Sequence, residues 1–224
     1  MSGDVDLRVV DDPAEDAAQL IAEAAGAGGN IGLSGGSGPR AAYERAGILQ
    51  PNWSGVDLWW IDERCVPPAD GQSNYRMVRE SLLDGLARPP HVHRVQTELD
   101  PAQAADDYDR ALAGVTLDLA VMGIGPDGHT ASLFPNAPTL RVTTRRACSA
   151  EAGMEPFVAR VTMTRPVLNS SRTMLYLVTG EHKAEAVKRA FAEPPSPATP
   201  ASLVRGDRTI ALLDAAAAAY VSVG

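Results

Sequence analysis

The sequence predicts an α/β fold, in which a mostly parallel sheet carries helices on both faces, within a single domain over residues 1–224. Two observations support this prediction. Strand-like and helix-like segments alternate along most of the chain, which is typical of crossover units. The 224 residues are 45% hydrophobic and 21% charged, so a sizeable core can form. A proline-rich stretch at 193–200 is interpreted as a stiff surface loop rather than a domain linker, because little chain follows it.

The individual elements follow from apolar runs, helical spacing and turn residues. Apolar runs predict strands at Leu7–Val10, Asn30–Leu33, Val56–Ile61, Leu117–Met122, Val158–Met163, Thr173–Val178 and Thr209–Leu213. Helical spacing predicts helices at Pro13–Ala25, Arg40–Ala46, Asn74–Leu86, 101–113 and Glu181–Phe191. The first helix has Pro13 at its start and Gly26 after its end, as helix termini commonly do.

Charge and cysteine content bear on the class of protein. The formal net charge of −8 argues against a nucleic-acid partner, because non-specific binding needs a basic face. The two cysteines, Cys65 and Cys148, do not form a disulfide framework and fit a reducing compartment. Neither a signal peptide nor a long apolar run is visible, so we expect a cytoplasmic protein with no membrane partner.

The segment after the predicted strand Leu117–Met122 is the most informative one. Glycines and a proline break the strand and deliver Asp127 and His129 two residues apart. Ligands of open α/β sheets bind beyond the carboxyl ends of strands, and histidine can exchange a proton near neutral pH. Asp127 and His129 are therefore candidate catalytic residues. The alternative is a turn in which Asp127 caps the next helix and His129 is merely exposed.

A glycine-rich loop at 34–38 follows the predicted strand Asn30–Leu33 and opens a helix. Backbone N–H groups of such a loop, together with the helix dipole, suit a phosphate group. Ser37 can add a hydroxyl donor. Gly35, Gly36 and Ser37 are therefore candidate phosphate-binding residues, and a plain strand-to-helix turn is the alternative.

Three short motif matches receive less weight. Gly32–Gly36 fits the nucleophile elbow of a serine esterase around Ser34, but no clear acid-then-histidine pattern follows it. Gly123–Gly128 fits a dinucleotide-binding loop but lacks the acidic residue that should end a second strand. His91 and His93 lack further ligands at suitable spacing, so we expect an edge-strand or surface pair and no metal.

Charged residues mark three further segments. Asp62 and Arg64 follow the predicted strand Val56–Ile61, and the planar guanidinium group of Arg64 suits phosphate, although such a segment is often a solvated turn. Arg160 lies in the predicted strand Val158–Met163. Lys183 lies in the first turn of a predicted helix, where it opposes the dipole and so suggests a role other than helix support.

In this order, the segments resemble the family of 6-phosphogluconolactonases and glucosamine-6-phosphate deaminases. The matching parts are the glycine loop at 34–39, Asp-Glu-Arg at 62–64, Ser-Asn-Tyr at 73–75, Gly-Pro-Asp-Gly-His at 125–129 and Gly-x-x-Lys at 180–183. The resemblance implies a Rossmann-like fold and hydrolysis of 6-phospho-D-glucono-1,5-lactone to 6-phosphogluconate, in the oxidative pentose phosphate pathway. It implies no cofactor and no metal.

The resemblance also implies residue roles. His129 would activate water with the help of Asp127, and the sugar phosphate lactone would be held by Gly35, Gly36, Ser37, Asp62, Arg64, Arg160 and Lys183. We expect a monomer or a small homo-oligomer.

Three positions separate this chain from its relatives. The family's deaminases carry a catalytic Glu where this chain has Phe134, and a Tyr where it has Arg64; these differences favour a lactonase. A deaminase-like isomerase, a non-catalytic sugar-phosphate-binding protein and an esterase using Ser34 remain alternatives. Gly38 stands where the family usually has Thr, so one hydroxyl donor is missing from the loop.

Overall fold

The computed structural model describes residues 5–222, without the side chain of Ser37. The strands are β1 (Val5–Val9), β2 (Gly29–Leu33), β3 (Val56–Trp60), β4 (Asp62–Arg64), β5 (His91–His93), β6 (Leu119–Met122), β7 (Ala147–Ala150), β8 (Arg160–Met163), β9 (Thr173–Val178) and β10 (Arg208–Leu213). The α-helices are α1 (Pro13–Ala27), α2 (Ser37–Leu49), α3 (Asn74–Ser81), α4 (Pro101–Ala111), α5 (Arg165–Asn169) and α6 (Ala184–Phe191). Short 3₁₀ helices lie at Leu83–Gly85, Pro138–Arg141, Glu181–Lys183 and Pro200–Leu203.

A seven-stranded sheet, in the order β1-β10-β9-β6-β2-β3-β5, forms the centre of the fold. Every neighbouring pair in it is parallel. All four residues of β6 are buried, as are the last five of β9 and of β10. Strands buried without alternation are covered on both faces of the sheet. The expected α/β fold with a mostly parallel sheet is confirmed.

The strand order reverses between β2 and β6. From β2 the chain continues outward to β3 and β5, whereas β6 lies on the other side of β2 and is followed by β9 and β10. Ligands of open α/β sheets bind at such a switch point, outside the carboxyl ends of the strands. The segments that follow β2, β3, β6 and β9 meet at this edge, and they carry most of the candidate residues.

A second, three-stranded antiparallel sheet has the order β4-β8-β7 and was absent from the prediction. The predicted strand Val158–Met163 contributes to it as β8, so this strand is not part of the parallel sheet. Asp62 pairs with Thr162, and Arg64 pairs with Arg160. Segment Asp62–Arg64 is short and charged and carries little strand signal, and its pairing with β8 joins distant parts of the chain.

Several helix boundaries differ from the prediction. The helix predicted at Asn74–Leu86 ends at Ser81, since Leu82 leaves the helical region with φ −134° and ψ −63°. Helix α2 begins inside the glycine loop at Ser37, three residues before the predicted start. The helix predicted at Glu181–Phe191 divides into a 3₁₀ turn and α6. Within residues 5–222, the helices lack the combination of length and apolar character that a bilayer crossing requires.

Candidate active site

A cleft of about 210 Å³ opens at the switch point of the main sheet. Among the residues that line it are seven of the predicted site residues, namely Gly35, Gly36, Asp62, Arg64, His129, Arg160 and Lys183. Asp127 lies behind His129 rather than on the cleft wall. The hydroxyl of Ser37 falls outside the described part of the chain. The parallel sheet thus brings together residues that lie far apart in the sequence.

Asp127 and His129 form a hydrogen-bonded pair in the loop after β6. Asp127 Oδ1 lies 2.6 Å from His129 Nδ1 and accepts the backbone N–H of His129 at 3.0 Å. Burial acts to raise the pKa of Asp127, but the hydrogen bonds from His129 outweigh burial and hold this pKa below its usual value. Because an ionised carboxylate can only accept, Nδ1 carries the proton. The lone pair of a neutral His129 is then on Nε2.

This arrangement differs from the plain turn considered as the alternative. The next helical turn, Pro138–Arg141, begins without any side-chain cap, so Asp127 does not cap it. Only 17% of the His129 side chain is exposed. Histidine in this loop is therefore held by its neighbours and not simply solvated.

The loop geometry requires glycine at Gly125. The N–H of Gly125 donates to the carbonyl of His129 at 2.9 Å, and the N–H of Gly128 donates to the carbonyl of Gly125 at 2.9 Å. A Cβ at Gly125 would lie 2.1 Å from two ring atoms of His129 and 2.9 Å from Asp127 Oδ1. The loop therefore closes tightly around the histidine ring.

Phe134 packs against both His129 and Arg160. It is 4% exposed, and its ring centroid lies 4.9 Å from that of His129. The guanidinium carbon of Arg160 lies 5.4 Å from the centre of the same ring. Phe134 therefore packs against the histidine and provides no group that could exchange a proton.

The glycine loop leaves the start of α2 without a side-chain cap. Gly36, with φ of +108°, precedes the helix and offers no capping side chain. None of the described side chains caps the N–H groups of the first turn, and such groups bind anions. Ser34 donates its hydroxyl hydrogen to the carbonyl of Val121 at 2.7 Å, and Tyr43 donates to the carbonyl of Ser34 at 2.8 Å. These bonds anchor the glycine loop, which follows β2, to β6 and to α2.

Three cationic side chains line the cleft, namely Arg64, Arg160 and Lys183. Within residues 5–222, no carboxylate lies at ion-pairing distance from any of them. Arg64 and Arg160 lie directly opposite each other in the β4–β8 pairing, and the buried Nε of each has no hydrogen-bond partner among the described residues. Burial lowers the pKa of Arg160, and Arg64 lowers it further, while Asp62 acts in the opposite direction. Burial also lowers the pKa of Lys183. Like charges opposite each other in antiparallel strands are unfavourable, so an anion would stabilise this arrangement.

Lys183 is positioned by the end of β10. The backbone N–H of Gly180, which has φ of +95°, donates to both carboxylate oxygens of Asp214 at 3.0 and 3.1 Å. Asp214 directly follows β10. This contact fixes the turn from which Lys183 reaches the cleft.

Asp62 is held by Ser132 and Asn74, neither of which was among the predicted site residues. Asp62 is 7% exposed, and its Oδ2 accepts the hydroxyl of Ser132 at 2.6 Å. The carbonyl of Asp62 accepts Nδ2 of Asn74 at 2.8 Å. Asn74 belongs to the Ser-Asn-Tyr motif, which was a usable signal, whereas nothing in the sequence indicates that Ser132 contacts Asp62.

The dinucleotide-binding and metal-binding motif matches lack the surroundings that those kinds of site require. A dinucleotide-binding loop leads directly into an α-helix, whereas the next helical element after Gly128 is the 3₁₀ turn Pro138–Arg141. His91 and His93 lie on the edge strand β5, which confirms the edge-strand interpretation. His93 Nε2 contacts Asp57 Oδ1 at 2.7 Å, and its ring stacks on Trp59 at 4.1 Å. In the described range, no three His, Cys, Asp or Glu side chains cluster as metal ligands.

Comparison with known proteins points to one family. The sequence model of "Glucosamine-6-phosphate isomerases/6-phosphogluconolactonase" matches residues 6–212. The chain is 35% identical to human 6-phosphogluconolactonase over 86% of its own length and 81% of that protein. It is 34% identical to 6-phosphogluconolactonase of Streptomyces coelicolor over 76% of its length and 72% of that protein. The crystal structure of 6-phosphogluconolactonase from Thermotoga maritima superposes with a TM-score of 0.84 at 28% identity, covering 94% of this chain and 99% of the other.

Proposed function

Because the chain belongs to the family of glucosamine-6-phosphate isomerases and 6-phosphogluconolactonases, we propose that it hydrolyses 6-phospho-D-glucono-1,5-lactone to 6-phospho-D-gluconate, in the oxidative pentose phosphate pathway. One observation carries the proposal. His129, with Nδ1 held by Asp127, lines the same cleft as three cations that have no carboxylate partner within residues 5–222. A base and an anion site in one cleft are what hydrolysis of a phosphorylated lactone requires.

In the proposed complex, the phosphate binds at the cationic side of the cleft. Arg64, Arg160 and Lys183 supply the positive charge, and the N–H groups around Gly36 and Ser37 supply uncharged donors. This contact is remote from the reacting carbon. It orients the lactone and reduces the entropic part of the barrier.

The chemical step begins at His129. Its Nε2 removes a proton from a water molecule, whose oxygen attacks the C1 carbonyl carbon and forms a tetrahedral intermediate. The bond between C1 and the ring oxygen then breaks. The imidazolium returns its proton to the ring oxygen, which becomes the C5 hydroxyl, and Asp127 stabilises the transient cation. Water is thus split between the two new ends of the opened ring, and neither a cofactor nor a metal takes part in these steps.

Phe134 favours the lactonase over the deaminase reaction of the same family. Isomerisation of an amino sugar needs a further acid or base, whereas hydrolysis of an ester needs only water, one base and charge stabilisation. Phe134 packs against His129 and cannot transfer a proton.

The direct test uses freshly prepared 6-phosphogluconolactone, coupled to 6-phosphogluconate dehydrogenase. The protein should accelerate ring opening above the spontaneous rate. A rate equal to the spontaneous one, together with tight binding of 6-phosphogluconate, would instead support a non-catalytic sugar-phosphate-binding protein.

Replacement of Lys183 by alanine is expected to raise KM about tenfold with little change in kcat, because it removes a charged contact that is felt equally before and during reaction. Steady-state kinetics on the lactone measure both constants. Lys188→Ala is the matched control, since this lysine lies in α6, is half-exposed and is absent from the cleft lining. A fall in kcat at unchanged KM would place Lys183 in the chemical step instead.

Replacement of Ser34 by alanine distinguishes the proposed reaction from a serine esterase. Ser34 is 6% exposed and donates its hydroxyl hydrogen to Val121, so we expect kcat close to that of the wild type. An esterase would lose several orders of magnitude with its nucleophile. The same coupled assay decides between the two, and trapping of an acyl-enzyme would contradict our mechanism.

A further inference from the structure

Glu63 is the middle residue of β4 and is buried behind the cleft. Asp62 and Arg64 line the cleft, whereas Glu63 does not, as alternation along a strand requires. Only 2% of Glu63 is exposed. A carboxylate is rarely buried to this extent unless its oxygens have partners.

Within the described part of the chain, four uncharged groups donate hydrogen bonds to the Glu63 carboxylate. Oε1 accepts the backbone N–H groups of Arg64 at 2.7 Å and of Asn74 at 2.8 Å. Oε2 accepts the backbone N–H of Tyr75 at 2.7 Å and the hydroxyl of Ser73 at 3.2 Å. Asn74 and Tyr75 are the first two residues of α3, where the helix dipole favours a negative charge. The carboxylate therefore ties β4 to the start of this helix.

The residues held by Glu63 shape the cleft. The Arg64 guanidinium also donates to the carbonyl of Gln72 at 2.9 Å, just before α3. Asn74 donates to the carbonyl of Asp62, and its buried Oδ1 lies so close to Gly35 that a Cβ there would be 1.8 Å away. Glu63 thus fixes the strand that carries Arg64 and the side chain that packs against the glycine loop.

The surroundings of Glu63 make its charge state sensitive to pH. Burial raises the pKa of Glu63 to about 7, while the three backbone hydrogen bonds act to lower it and Asp62 adds a smaller rise. The other titratable or charged groups that face Glu63 are Cys65, Arg94, Tyr108 and Arg160. When Glu63 is protonated, one of its oxygens carries a hydrogen that points at a group which is itself a donor. At least one of the four hydrogen bonds to the carboxylate is then lost.

We propose that Glu63 is a positioning residue which, in its ionised form, sets the affinity of the cleft for the phosphate group of the substrate. The inference rests on the proposed function and deepens it. Ionised Glu63 keeps Arg64 and Asn74 in place. Protonation releases part of this arrangement, so KM rises as the pH falls through neutrality. Glu63 makes no hydrogen bond to His129, and kcat is affected much less.

Glu63→Gln separates geometry from charge, because the two effects have opposite signs. Removal of a negative charge near a phosphate, taken alone, would strengthen binding and lower KM. If Glu63 acts by position, the NH₂ group of the glutamine side chain faces backbone N–H groups that need an acceptor, and the contacts that hold Arg64 and Asn74 are lost. KM should then rise about tenfold at a pH of about 8. Towards a pH of about 6, KM of the wild type should approach that of the variant, because Glu63 is then mostly protonated in the wild type.

The controls isolate this effect from folding and from the substrate. The substrate phosphate also titrates, with a pKa of about 6, but it does so equally with both proteins and cancels in the ratio of their KM values. Glu44→Gln makes the same change at an exposed residue of α2 and should leave KM unchanged.

If Glu63→Gln does not fold, Ser73→Ala removes one donor at constant charge and should raise KM less, with kcat retained. A lower or unchanged KM above neutrality, or a KM ratio that does not depend on pH, would overturn the proposal.

Failure of the positioning role is distinguishable from failure of the proposed function. If the wild type does not accelerate lactone opening, the proposed function fails. Titration calorimetry with inorganic phosphate then decides the role of Glu63 without any reaction. Tighter binding by the wild type than by Glu63→Gln supports the role, and equal or weaker binding contradicts it.

Discussion

Replacement of His129 by alanine is expected to lower kcat for lactone opening by roughly 10²- to 10⁴-fold, because general base assistance contributes about this much. KM should change far less, since Arg64, Arg160 and Lys183 still line the cleft and still bind the phosphate. Initial rates above the spontaneous background, measured with the coupled dehydrogenase, give both constants. Circular dichroism and a melting curve show whether the variant remains folded.

The control for this variant is His91→Ala. The side chain of His91 is 76% exposed on the edge strand β5 and is absent from the cleft lining, so kcat should be unchanged. A wild-type kcat in folded His129→Ala would remove His129 from the chemical step. The proposal would then need another base, and among residues 5–222 Asp62 is the carboxylate that lines the cleft.

Replacement of Gly125 by alanine is expected to lower kcat by roughly 10²-fold, although Gly125 itself takes no part in the chemistry. The added methyl carbon would lie 2.1 Å from ring atoms of His129 and 2.9 Å from Asp127 Oδ1, so the pair must move. A misplacement of about 1 Å at a reacting group can cost this much in rate. KM, which depends on the phosphate contacts, should rise only slightly.

Gly85→Ala is the matched substitution for Gly125→Ala. A methyl group at Gly85 meets nothing within 4 Å, and this glycine lies in the 3₁₀ turn after α3. Kinetic constants of Gly85→Ala should equal those of the wild type. If Gly125→Ala also retained the wild-type kcat, the close packing of the loop around His129 would not be what positions the base.

Most of the cleft could be predicted because its residues follow strands with strong signals. The apolar run that became β6 ends at the loop with Asp127 and His129, and β2 ends at the glycine loop. In a parallel sheet the carboxyl ends of neighbouring strands lie at one edge, so residues after each strand converge without any contact being known in advance. Lys183 was recognisable because a lysine is unfavourable at the start of a helix.

The part that could not be predicted depends on the small antiparallel sheet. Segment 62–64 is short and charged, and such a segment is usually solvated. Burial of Glu63 arises only when α3 supplies donors from residues that lie further along the chain. The opposition of Arg64 and Arg160 likewise depends on a pairing between distant strands. Alternation within 62–64 was the available signal, because it places Asp62 and Arg64 on one face and Glu63 on the other.

The order of the main sheet has a consequence for synthesis of the chain. Strand β1 lies at an edge and, within residues 5–222, pairs with β10 alone; Val5 lies opposite Thr209. During translation, β1 leaves the ribosome long before its partner exists, and contacts between such distant segments form slowly. Loss of β10 would leave β1 without a neighbour and expose the edge of β9, which invites aggregation. The sheet can therefore be completed only after β10 has been synthesised. We expect a nascent chain that stalls before β10 to be bound by chaperones or degraded by proteases, and not to act as a shortened enzyme.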